Sequence, residues 1–467
     1  MAAIKFCAIG IGVVLAALRV AAAAPIEMRE AESQGASTRV QIGLKAEGLY
    51  LPAAASSASK GEVPKPLALK VESQLDFIER RVKGGVPGRP GRAVRRVLRA
   101  GSAVNGGVRP QASAIRPEVA LLVAEVRAEG VFVFSPGGPL TRSELELVEG
   151  PGDPMALGGL LPDRSVGVGD HWAVEDSAAR SVSAYDTLTA NTLEATLEAV
   201  DAGAARVRLR GEVRGSVLGG EGTMACDGSY SFDRKAGRID FLTINRSETR
   251  RPGVVEEGLD VKSTLSVTRR AAETPAALSD DALSRLALDG GPARERLVMV
   301  APGGRYALVH DRDWHTYWDD PRLTVLKRVE RGRLVAQCNL ALGPNAGRGR
   351  HQDPDQFRDD VRKGLGARFG QYLGVGEVEG DPAGGFRYKV GVQGRQGDLG
   401  VVWYYYLVAG PAGDQLLATF TLAASQSRAF GDRDEALIGT LRWLAPPAKV
   451  GSVPSSPGPV TAESRSQ

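Results

Sequence analysis

The densest run of chemistry-bearing residues is His310-Asp311-Arg312-Asp313-Trp314-His315, followed by Tyr317, Trp318, Asp319 and Asp320. Imidazole nitrogens and carboxylate oxygens together are the donor set of a zinc or similar divalent site. The spacing argues against one. His310 and His315 are five apart, so on one strand they point to opposite faces. The run has neither a helical i, i+4 histidine pair nor a third clustered His or Cys. Two tryptophans packed at a strand-to-loop junction, with the acids in water, account for the same residues. The binding feature predicted here is an aromatic-lined surface carrying Trp314, His315, Trp318 and Asp319, with no metal and no cofactor.

Nucleophilic chemistry needs a positioned base, and the chain offers little. Ser57-Ala58-Ser59-Lys60 has the Ser-x-x-Lys spacing but lies in an Ala/Ser-rich stretch without a companion Lys-Thr-Gly. There is no Gly-x-Ser-x-Gly elbow and no phosphate-cradle signature. Gly364-Leu365-Gly366 and Gly374-Val375-Gly376 lack both the third glycine and the strand-before-helix setting of a dinucleotide site. Asp319-Asp320 and Asp359-Asp360 are chain neighbours, not carboxylates flanking a substrate. His171 and His351 have no evident partner. No catalytic residue is predicted, and a hydrolase would need a site assembled from residues distant in sequence.

One charge feature stands out. Between Arg80 and Arg116 there are ten Lys or Arg residues and no acid, with Arg89, Arg92, Arg95, Arg96 and Arg99 at its centre. Such a run can hold an anionic polymer or a lipid headgroup; the plainer alternative is a solvated strand face. The aromatic residues that single-stranded nucleic-acid sites interleave are missing. Cys226 shares a strand face with Met224, Tyr230 and Phe232, and Cys338 with Leu334, Ala336 and Leu340. Both read as core thiols.

The elements that carry these residues change character along the chain. From 36 to 272 the pattern is period-two alternation, the mark of half-buried antiparallel strands. In 205–217, Val207, Leu209, Val213 and Val217 alternate with Arg206, Arg208, Arg210, Glu212 and Arg214. Arg127-Ala128-Glu129-Gly130 reads as a hairpin turn, and a second hairpin joins Tyr230/Phe232 to Ile239/Phe241. No long helix is predicted there, and an antiparallel sheet or half-barrel is the natural packing. Residues 273–292 read as a linker with a short helix capped by Ser279. From 293 to 445 strands mix with two helices. One opens at Asp353-Pro354 with Phe357, Val361, Leu365 and Phe369 on one stripe; the other starts near Asp432. Residues 401–408 (VVWYYYLV) are apolar on both faces, which predicts a central strand.

The ends of the chain read differently. Residues 1–23 carry Lys5, an apolar run over 9–18 and Ala21-Ala22-Ala23, the plan of a signal peptide. The run is too short to span a bilayer and Arg19 interrupts it. The expectation is an exported chain, periplasmic or secreted, with a short extension over 24–35 and no transmembrane segment after cleavage. Residues 446–467 are Pro/Ser-rich and predict a disordered tail. Lys+Arg 59 against Asp+Glu 55 leaves +4, too even for a dedicated nucleic-acid binder.

Residues 293–445 resemble the PsbP-like α/β/α sandwich family, on the element order and on YALVHDRDWH (306–315), LVAQCNL (334–340), VVWYYYLV (401–408) and AFGDRDEALIGTLRW (429–443). Residues 36–272 are similar to uncharacterised secreted proteins of planctomycete-type bacteria, on VFSPGGPLTRSELELV (133–148) and LLPDRSVGVGDHW (160–172). The first resemblance implies a binding or assembly module and no catalytic residues.

The fold class expected is therefore mixed: an all-β antiparallel sheet or half-barrel domain, then a PsbP-like α+β domain. The function expected first is a non-enzymatic binding or assembly module at the cell envelope. Its partner would be another envelope protein, an anionic envelope polymer or a lipid. The alternative is carriage of an apolar ligand inside the half-barrel. That alternative predicts a cavity lined by residues such as Leu69, Val71, Phe77, Val207 and Leu209, and a filled core at those positions would exclude it.

Overall fold

The computed structural model describes residues 24–31, 35–52, 65–82, 91–106, 111–378 and 385–444. The signal-peptide expectation, the Ser57–Lys60 motif, Arg89 and the tail over 446–467 lie outside them. Among the described residues no helix is long and apolar enough to cross a membrane.

Thirteen strands form one antiparallel sheet: β1 (Ser37–Leu51), β2 (Leu67–Val82), β3 (Arg92–Gly106), β4 (Gln111–Ala114), β5 (Leu121–Arg127), β6 (Gly130–Phe134), β7 (His171–Ala173), β8 (Thr187–Asn191), β9 (Glu194–Val200), β10 (Ala204–Val217), β11 (Gly220–Asp233), β12 (Arg238–Arg250) and β13 (Gly258–Ala272). The order is β6-β5-β3-β2-β1-β13-β12-β11-β10-β9-β7, with β4 beside β3 and β8 beside β10. The first long strand therefore lies in the middle and pairs with the last along its whole length, from Ser37 opposite Ala272 to Leu51 opposite Gly258. Alternation decides the faces: Val207, Leu209 and Val213 are fully buried, while Arg206, Arg210 and Arg214 are exposed. In the β11–β12 hairpin a bulge at Asp240 turns Phe241 outward and Leu242 inward.

The segment between β6 and β8 folds back over the inner face. It carries α1 (Arg142–Val148) and α2 (Asp176–Ser183), two short helices that the strand periodicity of the region hides. Leu145, Leu147, Leu157, Leu160 and Val182 share one core with Phe77, Val97, Leu242 and Leu265. Arg95 lies inside that core at 1% exposure. Its Nε donates to Glu79 at 2.9 Å, and its two terminal nitrogens donate to the two Asp153 oxygens at 2.7 and 2.8 Å. Asp153 belongs to the loop after α1, so this pair ties the loop to β2 and β3. On the other face of β3, Val94 is covered by Leu278 and Leu283 of the connecting segment. That segment forms α3 (Asp280–Ser284), capped by Ser279, and α4 (Pro292–Glu295).

The remaining residues build two further sheets. β14 (Leu297–Val300), β15 (Tyr306–His310) and a short β23 (Arg442–Trp443) form one. The other contains β16 (Trp314–Asp319), β17 (Leu323–Glu330), β18 (Arg333–Leu342), β19 (Phe369–Glu377), β20 (Phe386–Gln396), β21 (Leu399–Ala409) and β22 (Gln415–Ala423), in the order β16-β17-β18-β22-β21-β20-β19. Asp353 caps α5 (Pro354–Leu365), whose Phe357, Val361 and Leu365 pack on one face of this sheet. α6 (Ser427–Phe430) and α7 (Arg433–Gly439) cover the other face with Phe430, Leu437 and Ile438. Strand β21 is interior and feeds both cores, Val401 and Trp403 to one and Val402 and Tyr406 to the other. The large sheet and this part join through an isolated bridge between Leu140 and Leu297, and Leu297 buries itself in the large core.

Replacing Arg95 with Met removes the only ion-pair partner Asp153 has among the described residues. The expected cost is about 3–5 kcal/mol in urea unfolding, because a buried carboxylate loses its counter-charge. A loss below about 1 kcal/mol would contradict the tether.

Candidate functional site

The inner face of the large sheet is filled at one end and open at the other, and side-chain size decides which. Along β2 and β3 the inward positions pass from Phe77 and Val97 to Ser73 and Ser102. The small residues leave a cavity of about 220 Å³ between β1–β4 and α1. Ile42, Leu44, Val71, Leu75, Val104 and Leu147 form its apolar wall. Ser73, Ser102, Ser113 and Ser143 supply hydroxyls, and Glu146 supplies the single charge in the lining.

Helix α1 roofs this cavity, and seven residues are too few to hold a helix without help. Its N-terminus is closed by a capping box: the Thr141 hydroxyl accepts from the Glu144 amide, and Glu144 accepts from the Thr141 amide at 2.8 Å. The buried Glu144 also accepts two hydrogen bonds from the Arg116 guanidinium, at 2.7 and 2.8 Å. Leu145 and Leu147 then face the core, while Glu146 stays accessible to solvent.

Next to the cavity lies a crowded set of titratable groups where the large sheet meets β15 and β16. Arg142 donates to the carbonyls of Arg312 and Trp314, the latter at 3.0 Å, and burial lowers its pKa. Arg312 donates to Glu149 at 2.7 Å and stacks 3.6 Å over Phe132, which Arg127 also meets at 3.7 Å. Burial raises the carboxyls of Glu149 and Glu256 above their ordinary range, and hydration lost to the surrounding protein raises those of Glu146 and Asp186, which still reach solvent. Arg142 pulls Glu146 back down and Glu256 pushes it further up. His315 is lowered to about 3, by burial first and then by Arg142 and His310. The buried His310 is lowered by burial as well, and its Nδ1 donates to the Asp311 carbonyl at 2.7 Å. Perturbed groups gathered in a cleft mark a candidate site.

The aromatic cluster seen in the sequence does not form one surface. Trp314 is 2% exposed and packs edge-on against Phe420 and Phe430. Trp318 is 56% exposed and donates to Asp320 at 2.9 Å, with Asp319 also exposed. His315 is half-buried beside the charged set. Asp311 and Asp313 both pair with Arg328. Among the described residues no group of three His, Cys, Asp or Glu is placed to hold a metal. His351 stacks on Phe386 at 3.6 Å, and His171 is exposed on β7.

The basic run is largely neutralised by acids from elsewhere in the chain. Arg92 is buried against Glu125 at 2.6 Å and reaches Asp289, Arg95 holds Glu79 and Asp153, Arg80 meets Asp280, and Arg116 meets Glu144. Arg96 is half-buried opposite Leu121, and Arg99 is exposed opposite Asp76, which Arg39 already holds. Arg92, Arg95, Arg96 and Arg99 therefore do not present one basic surface. Cys226 and Cys338 are buried free thiols, and burial pushes both pKa values up.

Of the five positions tied to carriage, Phe77, Val207 and Leu209 are in the filled core, which excludes a ligand there. Val71 lines the open cavity, and Leu69 is 9% exposed on the same strand face. The residues that sequence reasoning missed are Arg142, Ser143 and Glu146. A signal for their helix was present in Thr141-Arg142-Ser143-Glu144, the Thr-x-x-Glu spacing of a capping box.

No protein-family model matches the chain, and no curated protein matches it. Among solved structures, a protein from Bacteroides thetaiotaomicron VPI-5482 is similar over 32% of this chain and 48% of its own, at 11% identity and a TM-score of 0.22. Lipovitellin, in a structure concerned with lipid–protein interactions, is similar over 52% of this chain and 26% of its own, at 8% identity and a TM-score of 0.29. The outer membrane protein OprD from Pseudomonas aeruginosa aligns over 84% of this chain and 95% of its own, at 9% identity and a TM-score of 0.11. The chain spans less than half the length of the first two. Likenesses this weak carry no argument about function, which rests on the chain's own residues.

His315 gives a direct test of the charged set. With its folded pKa lowered to about 3 from 6.5, the folded chain binds fewer protons there than the unfolded chain between those values. Its contribution to stability is complete above pH 6.5 and is lost as the pH falls below it; the raised carboxyls act with the opposite sign. The His315 ring resonance should stay flat in an NMR titration from pH 8 to about pH 5. A midpoint near the ordinary histidine value would contradict its placement.

Proposed function

We propose that this chain is an exported, non-enzymatic binding protein that holds a small apolar or amphipathic molecule between strands β1–β4 and helix α1. The observation that carries this reading is the cavity: an apolar wall, a rim of serine hydroxyls and one carboxylate, on an otherwise filled sheet face. Ligand sites are concave and mostly apolar, with a few placed polar groups that orient what they hold. At about 220 Å³ the cavity is smaller than the roughly 300–1,000 Å³ of drug-sized sites, so it suits a single alkyl chain or a small aromatic molecule. On this reading His310 and His351 are structural, each giving a ring nitrogen to a backbone carbonyl. On this reading residues 293–445 keep the assembly role that their family resemblance implies.

The test fills the cavity from its wall. The neutral dye N-phenyl-1-naphthylamine should brighten on binding the wild-type chain. Val71→Phe should weaken that binding by about tenfold or more, with a stability change below about 1.5 kcal/mol. A wild-type chain that takes up no dye, or a variant that binds it equally well, would overturn the reading.

A further inference from the structure

We propose that the cavity selects a small organic cation, a primary ammonium group carried on a short apolar chain, with Glu146 as its counter-charge. This deepens the binding reading above and rests on it. Glu146 contributes the only charge in a lining that is otherwise aliphatic carbon, serine hydroxyl, amide and backbone. Among the described residues it has no hydrogen-bond or ion-pair partner of its own, although every other carboxylate of α1 and its loop has one: Glu144 holds Arg116, Glu149 holds Arg312 and Asp153 holds Arg95. The cation closest along the helix, Arg142, gives its hydrogen bonds to the carbonyls of Arg312 and Trp314 and acts on Glu146 through its charge without an ion-pair contact.

A carboxylate without an ion-pair partner in an apolar lining favours a cation over an anion. Loss of hydration disfavours ionisation of Glu146 most, the charge of Arg142 favours it, and Glu256 opposes it. An arriving ammonium group offsets the lost hydration, because an opposite charge stabilises the ionised carboxylate. The serine hydroxyls are acceptors for the two remaining ammonium protons. An incoming carboxylate would meet Glu146 with like charge, and an alcohol would offer it a hydrogen bond but no counter-charge. The apolar wall takes the chain in each case, so the head group alone separates the three.

The experiment compares n-octylamine, n-octanol and n-octanoate by calorimetric titration of the full chain at neutral pH. The amine should bind the wild-type protein about tenfold tighter than the alcohol, with the carboxylate weakest. Glu146→Gln should remove the preference for the amine, so that amine and octanol bind the variant within about twofold of each other. A far-UV circular dichroism spectrum and a urea midpoint matching the wild type show that the variant is folded. Equal binding of amine and alcohol to the wild type, or an amine preference that survives Glu146→Gln, overturns the cation assignment while the cavity stands. Failure of all three to bind overturns the binding reading itself.

Discussion

Arg95 has no route to water, and the layout of the site follows from that. A guanidinium inside a sheet core is tolerated only when carboxylates meet its donors, because a buried unpaired charge costs several kcal/mol. Glu79 supplies one acceptor from the neighbouring strand, and Asp153 supplies two from a loop fifty-eight residues away in sequence. Satisfying Arg95 therefore pulls the loop after α1 onto the sheet. Leu157 and Leu160 are buried with it, and the C-terminal end of α1 is set in place. The N-terminal end is held by Thr141, Glu144 and Arg116. A seven-residue helix pinned at both ends can roof a cavity that its own propensity would not sustain.

The same helix links the large sheet to the rest of the chain. Arg142 reaches the carbonyls of Arg312 and Trp314, while Arg312 reaches back to Glu149 and Phe132. Lys327 adds a bond to the Val254 carbonyl, and Gly219 approaches Gly332 so closely that a side chain at Gly219 would overlap its backbone. Gly219 also has a φ of 85°, in the region that favours glycine. Arg142 and Glu146 thus divide the work of one helix face, the first bracing a junction and the second lining the cavity.

Much of the strand framework was legible in the sequence because half-buried strands write it with period two. The β10 alternation, the Arg127–Gly130 hairpin, the interior position of 401–408 and the Asp353-Pro354 helix start all follow from local rules. What local rules do not contain is which distant acid meets which base. The stretch from Arg80 to Arg116 has no acid of its own, so it reads as a basic surface, yet Asp153, Glu125, Asp289, Asp280 and Glu144 come to it through the fold. The cluster near Trp314 misleads in the opposite way. Crowding along the chain looked like a site, but Trp314 enters a core while a bulge between Thr316 and Trp318 breaks the alternation and leaves Trp318 in solvent. The cavity was half visible: the apolar positions on β2 were read, but which end of the sheet stays open depends on the segment between β6 and β8. Binding or assembly stood ahead of carriage in the sequence, and the open end at Val71 is the observation on which the proposed binding of a small molecule rests.

The dependence of the cavity on the buried charge is the claim most open to direct attack. The decisive measurement is a titration of N-phenyl-1-naphthylamine into Asp153→Ala, with amide hydrogen exchange followed on the same sample. The account predicts that dye uptake is lost and that exchange quickens in Arg142–Val148, while the β10–β13 amides keep their protection. Undiminished uptake with α1 still protected would contradict it.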